Sequence, residues 1–185
     1  AITYQKVIDL NRKIPRELWL LSKLKKLNTN FYSIEEKESR FKTLLKSDED
    51  RRFRDQINYF YSKFKLSLGD TLASEKHLKK SLETLTQDKY LKSNIYELFA
   101  ENRMNQIDFV EAGKYFDSTL QNLDEKSLKF RKLKRKKEKL TDIINYEKTI
   151  KKADSIILLM KKSPEEQIRH IAVSYTHLRA HETLS

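Results

Sequence analysis

Two glycines and two prolines in 185 residues constrain this chain more than any motif in it. Gly supplies the positive φ of tight turns and the close backbone approach of phosphate loops, and Pro pre-sets many of the remaining turns. With so little of either, an all-β domain and a glycine-rich nucleotide-binding fold are both disfavoured, and helices must span the length. Hydrophobic residues make up 38% of the chain, enough for a core despite a net charge of +12 from 39 Lys and Arg against 27 Asp and Glu. The chain contains no Cys, which removes disulfides, thiolate metal sites and a Cys nucleophile. No stretch approaches the ~18 consecutive apolar residues of a membrane span. The N-terminus opens at Ala1 with no signal-peptide pattern. A fragment cut at both ends is expected, so that opening says nothing about compartment.

At the other end, Val173-Ser-Tyr-Thr-His-Leu-Arg-Ala-His-Glu-Thr183 resembles the translation of a transposase-type sequencing adapter. Residues 173–185 are therefore expected to be non-native. The metal-like trio His177, His181 and Glu182 goes with them, and the two remaining histidines, His77 and His170, stand isolated.

Apolar residues at Phe53, Ile57, Phe60, Tyr61, Phe64 and Leu68 follow the stripe of a half-buried helix. Gly69 suits its left-handed end and Asp70 can cap the next helix, whose stripe is Leu72, Ser74, Leu78, Ser81, Leu82 and Leu85. A second pair follows: Leu91, Ile95, Leu98 and Phe99, then an Asp108–Glu111 capping box before Ala112, Phe116, Thr119, Leu120 and Leu123. Upstream, Pro15 opens a helix with Leu18, Trp19, Leu21 and Leu24, and Ser33 with Glu36 caps another carrying Phe41, Leu44 and Leu45. That predicts a third, looser hairpin. The aromatic cluster Tyr59, Phe60, Tyr61 and Phe64 reads as core packing rather than as a stacking platform.

The two better hairpins share one pattern of side-chain size, because Ser74, Leu78 and Ser81 recur as Ala112, Phe116 and Thr119, 38 residues on. Ser62 and Ala100, in the preceding helices, keep the same offset. A tetratricopeptide repeat is about 34 residues long, and such a hairpin buries its apolar face only by stacking on a neighbour. The expected fold is thus all-α, with tandem helix hairpins stacked as a tetratricopeptide-like solenoid and followed by a long basic helix. Its order is the end of a truncated helix (1–12), a degenerate hairpin (13–50), two repeats (51–87 and 88–123), a long charged helix (124–162), a short helix (163–172) and the tail.

The stretches Asp55-Gln-Ile-Asn-Tyr-Phe-Tyr61, Gly69-Asp-Thr71 and Tyr115-Phe-Asp-Ser-Thr-Leu120 resemble the tetratricopeptide region of the PorW/SprE lipoproteins of Bacteroidetes gliding motility and type IX secretion. Ala1-Ile-Thr-Tyr-Gln-Lys-Val-Ile-Asp-Leu10 and Ile14-Pro-Arg-Glu-Leu18 are similar to the flanking helix and turn, so the likeness runs to about Ile171. It implies a non-catalytic scaffold, anchored to the outer membrane and facing the periplasm, whose partners are other proteins of a secretion and motility assembly. No cofactor is implied. Ile107 at the repeat's glycine position and Lys65 at an aromatic one depart from the pattern and predict looser stacking. No carboxylate pair, Ser/His/Asp set or phosphate loop argues for an enzyme.

After Leu123, helical spacing continues through Phe130, Leu133, Leu140, Ile144, Ile150, Ala153, Ile157 and Met160, as one helix or as two broken near Asn145, until Ser163-Pro164 opens a short helix with Glu166 as capping partner. Lys129, Arg131, Lys132, Lys134, Arg135, Lys136, Lys137 and Lys139 stand against Glu138 alone, a local charge of +7. Leu133 and Leu140 keep an apolar seam, over which Lys136 and Lys137 can snorkel. The basic stretch is either a solvated face or a contact for an acidic partner. That partner is an acidic protein surface or anionic lipid, at ~1 kcal/mol per basic residue, ahead of nucleic acid. The alternative is a cytoplasmic helical-repeat protein that binds nucleic acid through this helix, and a mere spacer within a longer array is the third reading.

Overall fold

The structure, a computed structural model, describes residues 2–84 and 88–169. Leu85, His170, Ile171 and the adapter-like tail lie outside the described residues. Within them every regular element is helical: α1 (Ile2–Asp9), α2 (Arg16–Leu27), α3 (Ile34–Lys46), α4 (Arg54–Ser67), α5 (Thr71–Thr84), α6 (Lys89–Asn105), α7 (Phe109–Gln121) and α8 (Leu128–Met160). A further helical turn covers 164–169. The chain divides into two compact units, Ala1–Lys137 and Glu138–Ser185, with the boundary inside α8.

In the first unit α4 lies along α5, and α6 along α7, as close hairpins. Side-chain size at the crossings permits the approach. Ser62, Ser74, Ser81, Ala100, Ala112 and Thr119 are all fully buried, with Leu78 and Phe116 as the large side chains between them. The hydroxyls do not go unpaired, since Ser81 Oγ donates across the hairpin to the Asp55 carbonyl at 2.6 Å, and Thr119 Oγ1 donates within α7 to the Tyr115 carbonyl at 2.8 Å.

The two hairpins also turn alike. Gly69 N–H bonds the Leu66 carbonyl and Asp70 N–H that of Lys65; 38 residues on, Ile107 N–H bonds Met104 and Asp108 N–H bonds Arg103. Both are Schellman closures, and both need a left-handed residue. Gly69 has φ 78° and Ile107 has φ 61°. The expected loosening at Ile107 therefore does not reach the turn itself. Asp70 and Asp108 cap the following helices through the N–H groups of Ala73 and Glu111. The Asp108–Glu111 capping box is only half formed, because the Asp108 N–H is committed to the Schellman turn and Glu111 turns instead to Lys114. The Ser33–Glu36 box is complete.

Buried positions recur beyond these two hairpins. Leu20, Leu24 and Leu27 of α2 lie 37 residues before the buried Ile57, Tyr61 and Phe64 of α4, which lie 38 before Ile95, Phe99 and Asn102 of α6. In α3, Lys37, Phe41 and Leu44 precede Ser74, Leu78 and Ser81 by the same 37. The third hairpin thus keeps the register but carries Lys and Leu where the others carry Ser, Ala or Thr. That bulk holds α3 off α2, and α2 runs closest to α1 instead, a correction to the expected pairing. Trp19 secures that contact by donating its indole N–H to the Ile8 carbonyl at 3.1 Å.

Three stripe positions expected to be inside are outside: Leu18, Leu68 and Leu72 are 52%, 41% and 81% exposed. The run Leu18–Leu21 is apolar on all sides of the helix, so its phase is set by packing, and Leu20 is the one that joins the buried cluster with Phe41, Ile57 and Tyr61. In the second unit α8 continues unbroken past Asn145. Leu140 is buried, whereas Ile150, Ile157 and Met160 are exposed, contrary to the half-buried stripe their spacing predicts. Ser163 and Glu166 form a reciprocal capping pair there.

Candidate functional site

The basic stretch resolves into two faces. Ser127 caps α8 by accepting the Phe130 N–H at 3.1 Å, and Leu133 turns inward, at 5% exposure, 38 residues after Ile95. The helix begins there, after a turn over 124–127, rather than running on from Leu123. Residues sharing the face of Leu133 meet acids. The Lys129 ammonium lies 2.7 Å from Glu97, also bonds the Asn94 side chain and sits 5.2 Å from the Tyr90 ring. Lys136 lies 3.8 Å from Glu101 and 5.2 Å from the Phe116 ring, and Lys137 pairs with Asp117. Glu97 and Glu101 are one helical turn apart on α6 and Asp117 is on α7, so these inner charges of α8 are paired from within the fold. These three lysines thus have acidic partners within the first unit. Arg131, Lys132, Lys134, Arg135 and Lys139 are exposed.

A groove of ≈ 620 Å³ crosses the first unit over α2, α4 and α6. Tyr59, Phe60 and Tyr90 supply aromatic walls, Lys25 and Lys63 stand toward the C-terminal ends of their helices, and Glu17 and Asp88 stand toward the opposite ends. Gln56 and Asn94, 38 residues apart, add amides, and the buried Gln56 Oε1 has no partner among the described residues. Of the aromatic cluster, Tyr61 and Phe64 are core, whereas Tyr59 and Phe60 are only partly buried and line this groove. Burial first, then the nearby Glu97 and Glu101, pushes the Tyr59 phenol up to about 12, so it remains a neutral hydrogen-bond donor at physiological pH. Periodicity alone misses this groove, because Lys25 and Lys63, 38 residues apart, fall one position off the 37-residue interval that relates the core of α2 to that of α4.

Lys65, read as a departure from the repeat pattern, and His77, read as isolated, sit in one cluster. Glu38 of α3 accepts from the Tyr61 hydroxyl and from Lys65. Burial works against the Glu38 charge, but these two bonds outweigh it and hold the carboxyl below its usual range. His77 stacks 4.2 Å from the Tyr61 ring, with Nδ1 2.9 Å from the Asn58 side-chain oxygen. Burial, reinforced by Lys80, Lys65 and Lys76, drives its imidazole down to about 4. His77 is thus neutral at pH 7. Among the described residues no three His, Cys, Asp or Glu side chains gather in a way that could hold a metal ion, and no helix is long and apolar enough to cross a membrane.

These features define an all-helical protein with a grooved face and an exposed basic face. No family model matches the chain, and no curated protein matches it either.

Proposed function

We propose that this chain is a non-catalytic helical-repeat scaffold of the tetratricopeptide kind, which holds a segment of a partner protein in the groove over α2, α4 and α6. The supporting observation is the recurrence of the same buried positions at 37 and 38 residues through successive helix pairs, with matching turns. Stacked pairs of this type present their first helices side by side as a continuous surface. The resemblance to the PorW/SprE lipoproteins supplies the setting: a periplasmic, outer-membrane-anchored assembly for secretion and gliding. Immobilising the full chain and probing it with purified components of such an assembly tests the reading. Capture that weakens with Tyr90→Ala plus Lys63→Glu supports it. Equal capture by that variant removes the groove from the mechanism.

The five exposed cations of α8 favour a second contact, with an acidic protein surface or anionic headgroups. The competing reading, a cytoplasmic protein that binds nucleic acid, makes a separate demand. Oligonucleotide affinity must fall steeply with salt, with a log–log slope approaching about −0.9 per phosphate contacted. A flat response rejects nucleic acid and leaves the protein or lipid contact.

A further inference from the structure

Where α3 stands off α2, a cavity of ≈ 410 Å³ opens between α1, α2 and α3. Its polar lining is Lys23, Lys26, Arg40, Gln5, Tyr32 and Thr43, and among the described residues no carboxylate lines it. Three cations on one small cavity without a counter-charge in the wall are costly, because each like charge raises the energy of the others. The fold offsets this with aromatic rings rather than with acids. Lys23 Nζ lies 3.9 Å from the Trp19 ring centre, Lys26 Nζ 3.9 Å from Phe31 and 5.0 Å from Tyr32, and the Arg40 guanidinium 4.3 Å from the same Tyr32. Lys26 is 4% exposed and is oriented by Gln5 Oε1 at 2.6 Å. Ring contacts hold the charges in place, with no carboxylate among the described lining residues to pair with them.

We propose that this cavity binds a small organic phosphate monoester. A dianionic group answers the three cations, and an Arg already held against a ring is pre-organised to grip its oxygens. The cavity lies within the ≈ 300–1,000 Å³ of small-molecule sites, so it also has room for an organic body. Ile8, Leu27 and Leu44 provide the apolar wall that such a body needs. The site does not depend on the scaffold reading, since it arises where the hairpin pattern fails.

Calorimetric titration of the full chain with phenyl phosphate and with inorganic phosphate tests the assignment. Phenyl phosphate is expected to bind saturably and more tightly than inorganic phosphate. Lys23→Gln with Arg40→Gln should weaken it by about tenfold or more, the scale of one or two charge-assisted hydrogen bonds. Thr43→Trp, which sets a large ring at the cavity's exposed rim and leaves every charge in place, should weaken it as well. Exchanging Arg131, Lys132, Lys134 and Arg135 for Gln should leave it unchanged. Circular dichroism and urea unfolding establish that each variant is folded. Wild-type affinity in both cavity variants, equal affinity for the two phosphates, or loss of binding in the α8 variant would each overturn the proposal.

Discussion

Ile107 is the most exposed test of residue-level strain. A β-branched residue at φ 61° is held in a region that costs L-residues roughly 1–2 kcal/mol. Its side chain is 71% exposed and recovers little of that through packing. Ile107→Gly should therefore raise stability by about 1 kcal/mol in urea unfolding, and Gly69→Ala should lower it by about as much, although a Cβ there meets nothing within 4 Å. His77 supplies the pH dependence. Its folded pKa of about 4 lies below the ordinary value of 6.5, so the unfolded chain binds more protons between those values. Its contribution is complete above pH 7 and is lost as pH falls from about 6.5 toward 4, by roughly 1–2 kcal/mol after discounting for partial exposure. Comparing His77→Gln with the parent isolates this effect from Asp55, whose carboxyl burial pushes the opposite way. The variant should show a flatter acid limb. Asp50, at 1% exposure, takes a two-pronged grip from Arg16 at 2.8 and 2.9 Å, where its counterpart Asp88 caps a helix. Asp50→Asn should cost roughly 2 kcal/mol by leaving the guanidinium half paired.

At the scale of elements, one rule separates the close hairpins from the open one. Where the second helix offers Ser74 and Ser81, or Ala112 and Thr119, the backbones meet; where it offers Lys37 and Leu44, they do not. Ala112→Leu should thus strain the α6–α7 crossing and lower stability by about 1–3 kcal/mol, read as an earlier thermal or urea midpoint. An unchanged midpoint would mean that the crossing has slack and that size there does not set the approach. This rule is visible in the chain as letters for the two regular hairpins, because small residues at a 38-residue spacing need no coordinates to be seen. It is not visible for α2 and α3. There the run Leu18–Leu21 fits several helical phases, and only the neighbours that accept Leu20, Leu24 and Leu27 choose between them.

For the molecule as a whole, the net charge of +12 is less informative than its sorting. Lys129 and Lys136 are used inside the first unit against Glu97 and Glu101, while Arg131, Lys132, Lys134 and Arg135 face outward. Replacing Lys129 and Lys136 by Gln should lower stability by about 1 kcal/mol at low salt and by less at high salt, as partly exposed pairs do. The same exchange at Arg131, Lys132 and Arg135 should leave the midpoint within about 0.5 kcal/mol.

The chain's own letters determine the helical class, the places where helices start and stop, and the small-large-small crossings of two hairpins. These are local matters of turn chemistry, cap hydrogen bonds and the 3.6-residue period. Tertiary structure alone decided that α2 would lie with α1, that three lysines of the basic helix would set their charge against acids on α6 and α7, and that a groove and a cationic cavity would open. Those outcomes depend on which distant side chains arrive opposite one another and on their volumes, and a one-dimensional period carries no record of either.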